Sequence, residues 1–241
     1  MPTIIAIGGG NYEKGETEKI DLELFTLAKA KRQSEAPKML YFSTAGDNEP
    51  VGGENAKKYF NSLGFDVSVM HLIRDMPSQN KIEEAVFSAD CIYIGGGDTI
   101  RLVHTMRSLG VDKMMWESAK KGTVLSGISA GCACWFDYTH TDAIGYYGIE
   151  NTYVKFKCFG FIPAMCSVHY GTKRKADLRK RIANDESYPI VGLENGTAIL
   201  WQDGVCRTLI QKTDRRVHVY YPSASGYKIV RPKESEEFEL M

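Results

Sequence analysis

The chain has 241 residues, 43% of them apolar and 25% charged, with thirty Lys and Arg balancing thirty Asp and Glu. That length suits a single domain over residues 1–241 with a substantial core. The charge balance removes the global field that would favour nucleic acid or an anionic membrane. No apolar run approaches the roughly 20 residues needed to span a bilayer.

Strand-like and helix-like segments alternate from the start. Thr3 to Ile7 reads as a first strand, with no basic leader or cleavage site, and ends in Gly8-Gly9-Gly10. Asp21 to Ala30 carries apolar residues at helical spacing. Lys38 to Thr44 reads as a buried strand closed by Ala45-Gly46-Asp47. Asn55 to Leu63 reads as a helix stopping at Gly64, and Asp66 to Ile73 as a strand. Gln79 to Ala89 is helical. Cys91 to Ile94 is a strand running into Gly95-Gly96-Gly97, and helices follow over Thr99–Leu109 and Asp112–Lys120. Thr123 to Ser126 is the fifth strand. Five βα units in succession predict an α/β fold with a mainly parallel, twisted sheet and helices on both faces.

Beyond residue 131 the pattern changes. Tyr146 to Tyr170 is aromatic and β-rich. Lys173 to Asn184 is a charged helix. From Ile190 onward the chain reads as β structure, with hairpin turns at Asn195-Gly196, Asp203-Gly204 and Gly226. Cys91, Cys132, Cys134, Cys158, Cys166 and Cys206 have neither zinc nor Cys-x-x-Cys spacing, so they read as buried free thiols of a cytoplasmic protein.

The fifth strand runs into Gly127-Ile128-Ser129-Ala130-Gly131, and a mostly apolar segment follows. Strand, Gly-x-Ser-x-Gly, helix is the pattern of a nucleophile elbow. Its serine is lifted from the sheet, and the next N–H, that of Ala130, is free to hold an oxyanion. A second donor must come from a neighbouring loop, and Gly95-Gly96-Gly97-Asp98-Thr99 is the best candidate. Asp98 reads as an N-cap, a role compatible with substrate contact. The two glycine triplets miss the dinucleotide fingerprint, because Glu13 and Ile100 stand where the third glycine belongs. Glu16 replaces the lysine of a Walker A loop.

Serine needs a base. Of His71, His104, His140, His169 and His218, His169 follows an apolar strand downstream of Ser129, which is the chain order of α/β hydrolases. His140, close to the elbow, is the rival.

These motifs, with Gly160-Phe161-Ile162-Pro163, Val168-His169-Tyr170 and Gly192-Leu193-Glu194-Asn195-Gly196-Thr197-Ala198, resemble those of the peptidase E and cyanophycinase family of serine peptidases. The resemblance spans about residues 3 to 200. It implies a three-layer α/β/α fold similar to class I glutamine amidotransferases, with a β-rich C-terminal part. It implies Ser129 as nucleophile, His169 as base, and the Gly97 and Ala130 N–H groups as oxyanion hole, with no metal or cofactor. The histidine is oriented by Asn195 or by Glu194, with Asp142 as a third choice. The implied substrates are short peptides, including dipeptides with N-terminal aspartate. Arg174 is the best-placed cation for a carboxylate, against the reading that Lys173, Arg174, Lys175, Arg179, Lys180 and Arg181 form a solvated helix face. Another Ser-His hydrolase, such as an esterase or a cyanophycin-type peptidase, and a non-catalytic binding protein are the alternatives. Tyr220 and Tyr221 could cover the sheet or form the interface of a homodimer.

Overall fold

A computed structural model describes residues 1–32, 36–46, 50–182, 188–224 and 226–240; Asp47 and Asn184, expected at segment ends, lie outside them. The main sheet has eight strands in the order β14-β11-β10-β1-β5-β4-β2-β3. Its parallel part comprises β1 (Thr3–Ile7), β2 (Lys38–Phe42), β3 (Asp66–Met70), β4 (Cys91–Ile94) and β5 (Val124–Ile128). Antiparallel strands β10 (Thr197–Gln202), β11 (Val205–Ile210) and β14 (Glu237–Glu239) extend it beyond β1.

Strand side chains alternate between faces, and the two cores follow that alternation. Ile5 and Ile7 of β1 pack with Ile20, Leu24 and Phe60 from α1 (Glu18–Arg32) and α2 (Pro50–Ser62). Ile4 and Ala6 face the other way, toward Val86, Leu102 and Met115 from α3 (Gln79–Ser88), α4 (Thr99–Ser108) and α5 (Val111–Lys120). Both faces are covered, as a parallel sheet requires. Among the described residues no helix is long and apolar enough to cross a membrane.

The segment after β5 bears out the expected β-rich C-terminal part and charged helix, and adds detail that the sequence did not show. The helix following the elbow is a single turn, α6 (Ala130–Ala133). A second, six-stranded sheet then forms in the order β13-β12-β9-β8-β6-β7. It uses β6 (Phe136–Thr141), β7 (Val154–Lys157), β8 (Ile162–Ser167), β9 (Ile190–Leu193), β12 (Val217–Ser223) and β13 (Gly226–Val230). Phe136, Ala164, Cys166 and Val191 of this sheet share one core with the α3–α5 face of the main sheet. The helix α7 (Thr172–Ile182) joins β8 to β9. All six cysteines are buried and free of disulfides. Tyr220 is buried with its hydroxyl 2.6 Å from that of Tyr170, and the Tyr221 hydroxyl donates to the Glu239 carbonyl. The first of these tyrosines is therefore core.

Candidate active site

The parallel strands β1, β2, β4 and β5 all deliver their C-terminal ends to one edge, where ligands bind in such sheets. At the end of β5 stands Ser129, with φ 58° and ψ −113°, outside the basins that a non-glycine residue ordinarily occupies. The turn closes only because its flanking residues lack side chains. A Cβ on Gly127 would lie 2.4 Å from the Gly131 carbonyl oxygen, and one on Gly131 would lie 2.0 Å from that of Ile94. Strain of this kind costs about 1–3 kcal/mol and collects at functional sites.

The histidine comes from the end of β8. Its segment is pinned by two backbone bonds: His169 N–H to the Gly8 carbonyl at 2.9 Å, and Tyr170 N–H to that of Leu193 at 2.9 Å. His169 also sits at positive φ, 48°. Its Nε2 lies 2.7 Å from Ser129 Oγ, and its Nδ1 lies 2.7 Å from Asn195 Oδ1. An amide oxygen only accepts, so Nδ1 carries the proton and Nε2 is left to accept from the serine hydroxyl. The structure thus brings together Ser129, His169 and Asn195.

Glu194 is excluded from that group. Residues 194–196 form the turn between β9 and β10, so neighbouring side chains diverge. Glu194 meets Lys175 Nζ at 2.8 Å and His218 Nε2 at 2.9 Å. Burial pushes its carboxyl up, but the hydrogen bonds from Lys175 and His218 outweigh this and hold it below the usual range. Asp142 is likewise not at the histidine: it pairs with Arg174 Nη2 at 2.5 Å.

The rival histidines are occupied elsewhere or face solvent. His71 Nδ1 lies 2.6 Å from Ser43 Oγ, and His140 is buried between Ser167 and Asp177. His104 is exposed on α4.

Around Ser129 the backbone is open to a ligand. Among the described residues neither the Gly97 nor the Ala130 N–H donates to a protein acceptor. The Gly97 loop is held against the loop after β2, where the Asp98 N–H donates to the Ala45 carbonyl at 2.9 Å. Asp98 itself is a correction to the expected substrate contact. It is fully buried, caps α4 through the Ile100 and Arg101 N–H groups, and accepts from the Tyr147 hydroxyl at 2.7 Å. Its carboxylate is therefore spent on shaping the loops.

A cavity of about 390 Å³ opens beside Ser129 and is lined by Gly97, Asp142, Tyr146, His169 and Arg174. Arg174 is not part of a solvated face. It is 7% exposed, donates to the His140 carbonyl at 3.0 Å, and lies over the Tyr153 ring. One charged pair, Arg174 with Asp142, therefore borders the cavity.

The first glycine triplet carries a function that spacing alone did not reveal. A Cβ on Gly9 would lie 2.4 Å from both Asn195 Oδ1 and His169 Nδ1. The backbone of Gly9 is the floor on which that hydrogen bond rests.

Desolvation holds the His169 pKa below its ordinary value, with the Asn195 hydrogen bond acting upward against it. Protonated imidazole cannot accept from Ser129. Activity that depends on the neutral ring is therefore lost as pH falls through this lowered pKa and is full at neutral pH. Asn195→Asp places an anion on Nδ1 and favours imidazolium, so the acid limb of kcat/KM moves to higher pH. A limb unchanged by Asn195→Asp shows that His169 is not the group titrating.

Comparison with known proteins identifies the family. The model of peptidase family S51 matches residues 4–209. The uncharacterized peptidase YgaJ of Bacillus subtilis (strain 168) is 31% identical over 170 residues, covering 70% of this chain and 69% of that one. Peptidase E of Nostoc sp. (strain PCC 7120 / SAG 25.82 / UTEX 2576) is 25% identical over 171 residues, 66% of each chain. The crystal structure of a peptidase from an acI-B1 Actinobacterium superposes with a TM-score of 0.76 at 18% identity, covering 100% of this chain and 97% of that one.

Proposed function

The chain belongs to peptidase family S51, and on that premise we propose that it is a serine peptidase that removes an acidic N-terminal residue from short peptides through Ser129 and His169. The observation that carries the reading is the continuous run of hydrogen bonds Ser129–His169–Asn195, two contacts of 2.7 Å each, at the edge of a cavity containing Arg174.

His169 Nε2 takes the proton of Ser129 Oγ as the oxygen attacks the peptide carbonyl. The carbonyl oxygen becomes an oxyanion held by the Gly97 and Ala130 N–H groups. Nε2 then passes the proton to the departing amine, the C–N bond breaks, and an ester to Ser129 remains. Water, deprotonated by the same nitrogen, attacks that ester and releases the acid. Every step uses side chains and backbone of this chain.

Arg174 and Asp142 supply the selectivity. A peptide that begins with aspartate carries an ammonium and a carboxylate within a few bonds. The Arg174–Asp142 pair can be exchanged for two such pairs, ammonium to Asp142 and carboxylate to Arg174, at no net loss of charge pairing. A neutral N-terminal residue offers Arg174 nothing in return for its partner.

Hydrolysis of Asp-Leu, Ala-Leu and Lys-Leu tests this. The enzyme turns over Asp-Leu fastest, and Arg174→Met lowers kcat/KM for Asp-Leu by about tenfold or more while changing Ala-Leu little. Equal turnover of all three dipeptides refutes the acidic specificity; no turnover of any refutes the dipeptidase.

A further inference from the structure

Two cavities meet at Ser129. The first holds Arg174. The second, about 250 Å³, is bounded by Tyr12, Tyr41, Ser43, Gly52, Gly96 and Ile128 and borders Ser129 from the α1–α2 side of the sheet. Among its described lining residues none is charged. Tyr41 and Ile128 are 5% exposed and belong to the core of that face. Burial keeps both phenols, Tyr12 and Tyr41, protonated well above neutral pH. The buried polar anchor is Ser43, whose Oγ lies 2.6 Å from His71 Nδ1; burial, more than the nearby Arg74, holds that imidazole neutral.

Glycines keep this space open, and one of them has no other evident purpose. Gly96 approaches Ser129 closely: a Cβ there would lie 3.1 Å from Ser129 Cβ and 3.6 Å from its Oγ. Gly53 is required by packing, since its Cβ would lie 2.8 Å from Val69 Cγ1. Gly52 is different. It sits in the first turn of α2 at an ordinary φ, and a Cβ there would meet nothing within 4 Å among the described residues. Glycine weakens a helix, and neither its backbone angle nor any contact among the described residues requires one here. What a side chain at residue 52 would occupy is the mouth of the cavity.

We propose that this cavity receives the second residue of the peptide substrate, across the scissile bond from the residue at Arg174, and selects neutral apolar or aromatic side chains. The proposal rests on the peptidase reading above, because a peptide bond attacked by Ser129 needs a recess on each side of it. A charged side chain entering this lining loses water and finds no counter-charge among the described lining residues. An apolar one covers the rings of Tyr12 and Tyr41 and the Ile128 side chain.

The test is a dipeptide series on the whole enzyme: Asp-Phe, Asp-Leu, Asp-Gly, Asp-Lys and Asp-Asp. Wild type favours Asp-Phe and Asp-Leu over Asp-Lys and Asp-Asp by about tenfold or more in kcat/KM. Gly52→Trp lowers kcat/KM for Asp-Phe by about tenfold or more yet leaves Asp-Gly, which has no side chain to place, within about twofold. Turnover indifferent to the second residue overturns the proposal and leaves the peptidase reading standing. So does a Gly52→Trp enzyme that loses Asp-Gly and Asp-Phe equally. A wild type that cleaves no dipeptide removes both. Should Gly52→Trp fail to fold, the wild-type series decides alone.

Discussion

Ser129→Ala lowers kcat/KM for Asp-Leu by about 10⁴-fold or more, because nothing else in the site can form the acyl bond and only binding and the oxyanion donors remain. The fold survives, since alanine keeps the Cβ and occupies the same backbone conformation. Ser129→Gly separates the two consequences of the elbow. It also abolishes turnover, but glycine accepts φ 58° and ψ −113° without the penalty that serine meets there. Strain relief of about 1 kcal/mol raises Tm by about 2–4 °C in a chain of this size. Kinetics and thermal unfolding of the two variants together check this. Residual turnover within tenfold of wild type in either variant sets aside Ser129 as the nucleophile. An unchanged Tm in Ser129→Gly sets aside the stored strain.

The parts of the molecule legible from sequence are those whose physics is local. β1 and β4 announce themselves as short apolar runs cut off by glycine, and the structure places Thr3–Ile7 and Cys91–Ile94 at the expected residues. α2 starts at Pro50, earlier than the expected Asn55, because Gly52 and Gly53 disguise its first turn. The elbow is legible because Gly127 and Gly131 are dictated by contacts within a few residues and by the adjoining strand.

The second sheet is not local. Its parallel pairs join β6 to β8 and β8 to β9 across intervening segments, and aromatic periodicity carries no information on which strand pairs with which. The same limit left Asn195 and Glu194 open. In a turn, alternation fails as a guide, and the outcome depends on Lys175 and His218 drawing Glu194 away. Arg174 was hidden in a run of cations. Its burial follows from the His140 carbonyl and the Tyr153 ring, which belong to other elements.

Gly9→Ala lowers kcat by about 10²-fold, with no change in any residue that touches substrate. The added methyl carbon would stand 2.4 Å from His169 Nδ1 and equally close to Asn195 Oδ1, inside van der Waals contact with both. Gly9 also has φ 151°, where L side chains are strained, and its carbonyl accepts from the Gly196 N–H at 2.8 Å, so the backbone is held on that side. The freer response is for the imidazole and the amide to move apart. Nδ1 then loses its acceptor, the ring no longer holds the tautomer that presents a lone pair to Ser129, and Nε2 leaves its place 2.7 Å from Oγ. A displacement of about 1 Å at a reacting pair costs on the order of 10²-fold in rate. Because Arg174 and Asp142 keep their places, KM for Asp-Leu stays near wild type and the loss falls on kcat. A Gly9→Ala enzyme with wild-type kcat shows that the His169–Asn195 bond is not needed for turnover. A loss confined to KM shows that Gly9 serves the binding of substrate instead.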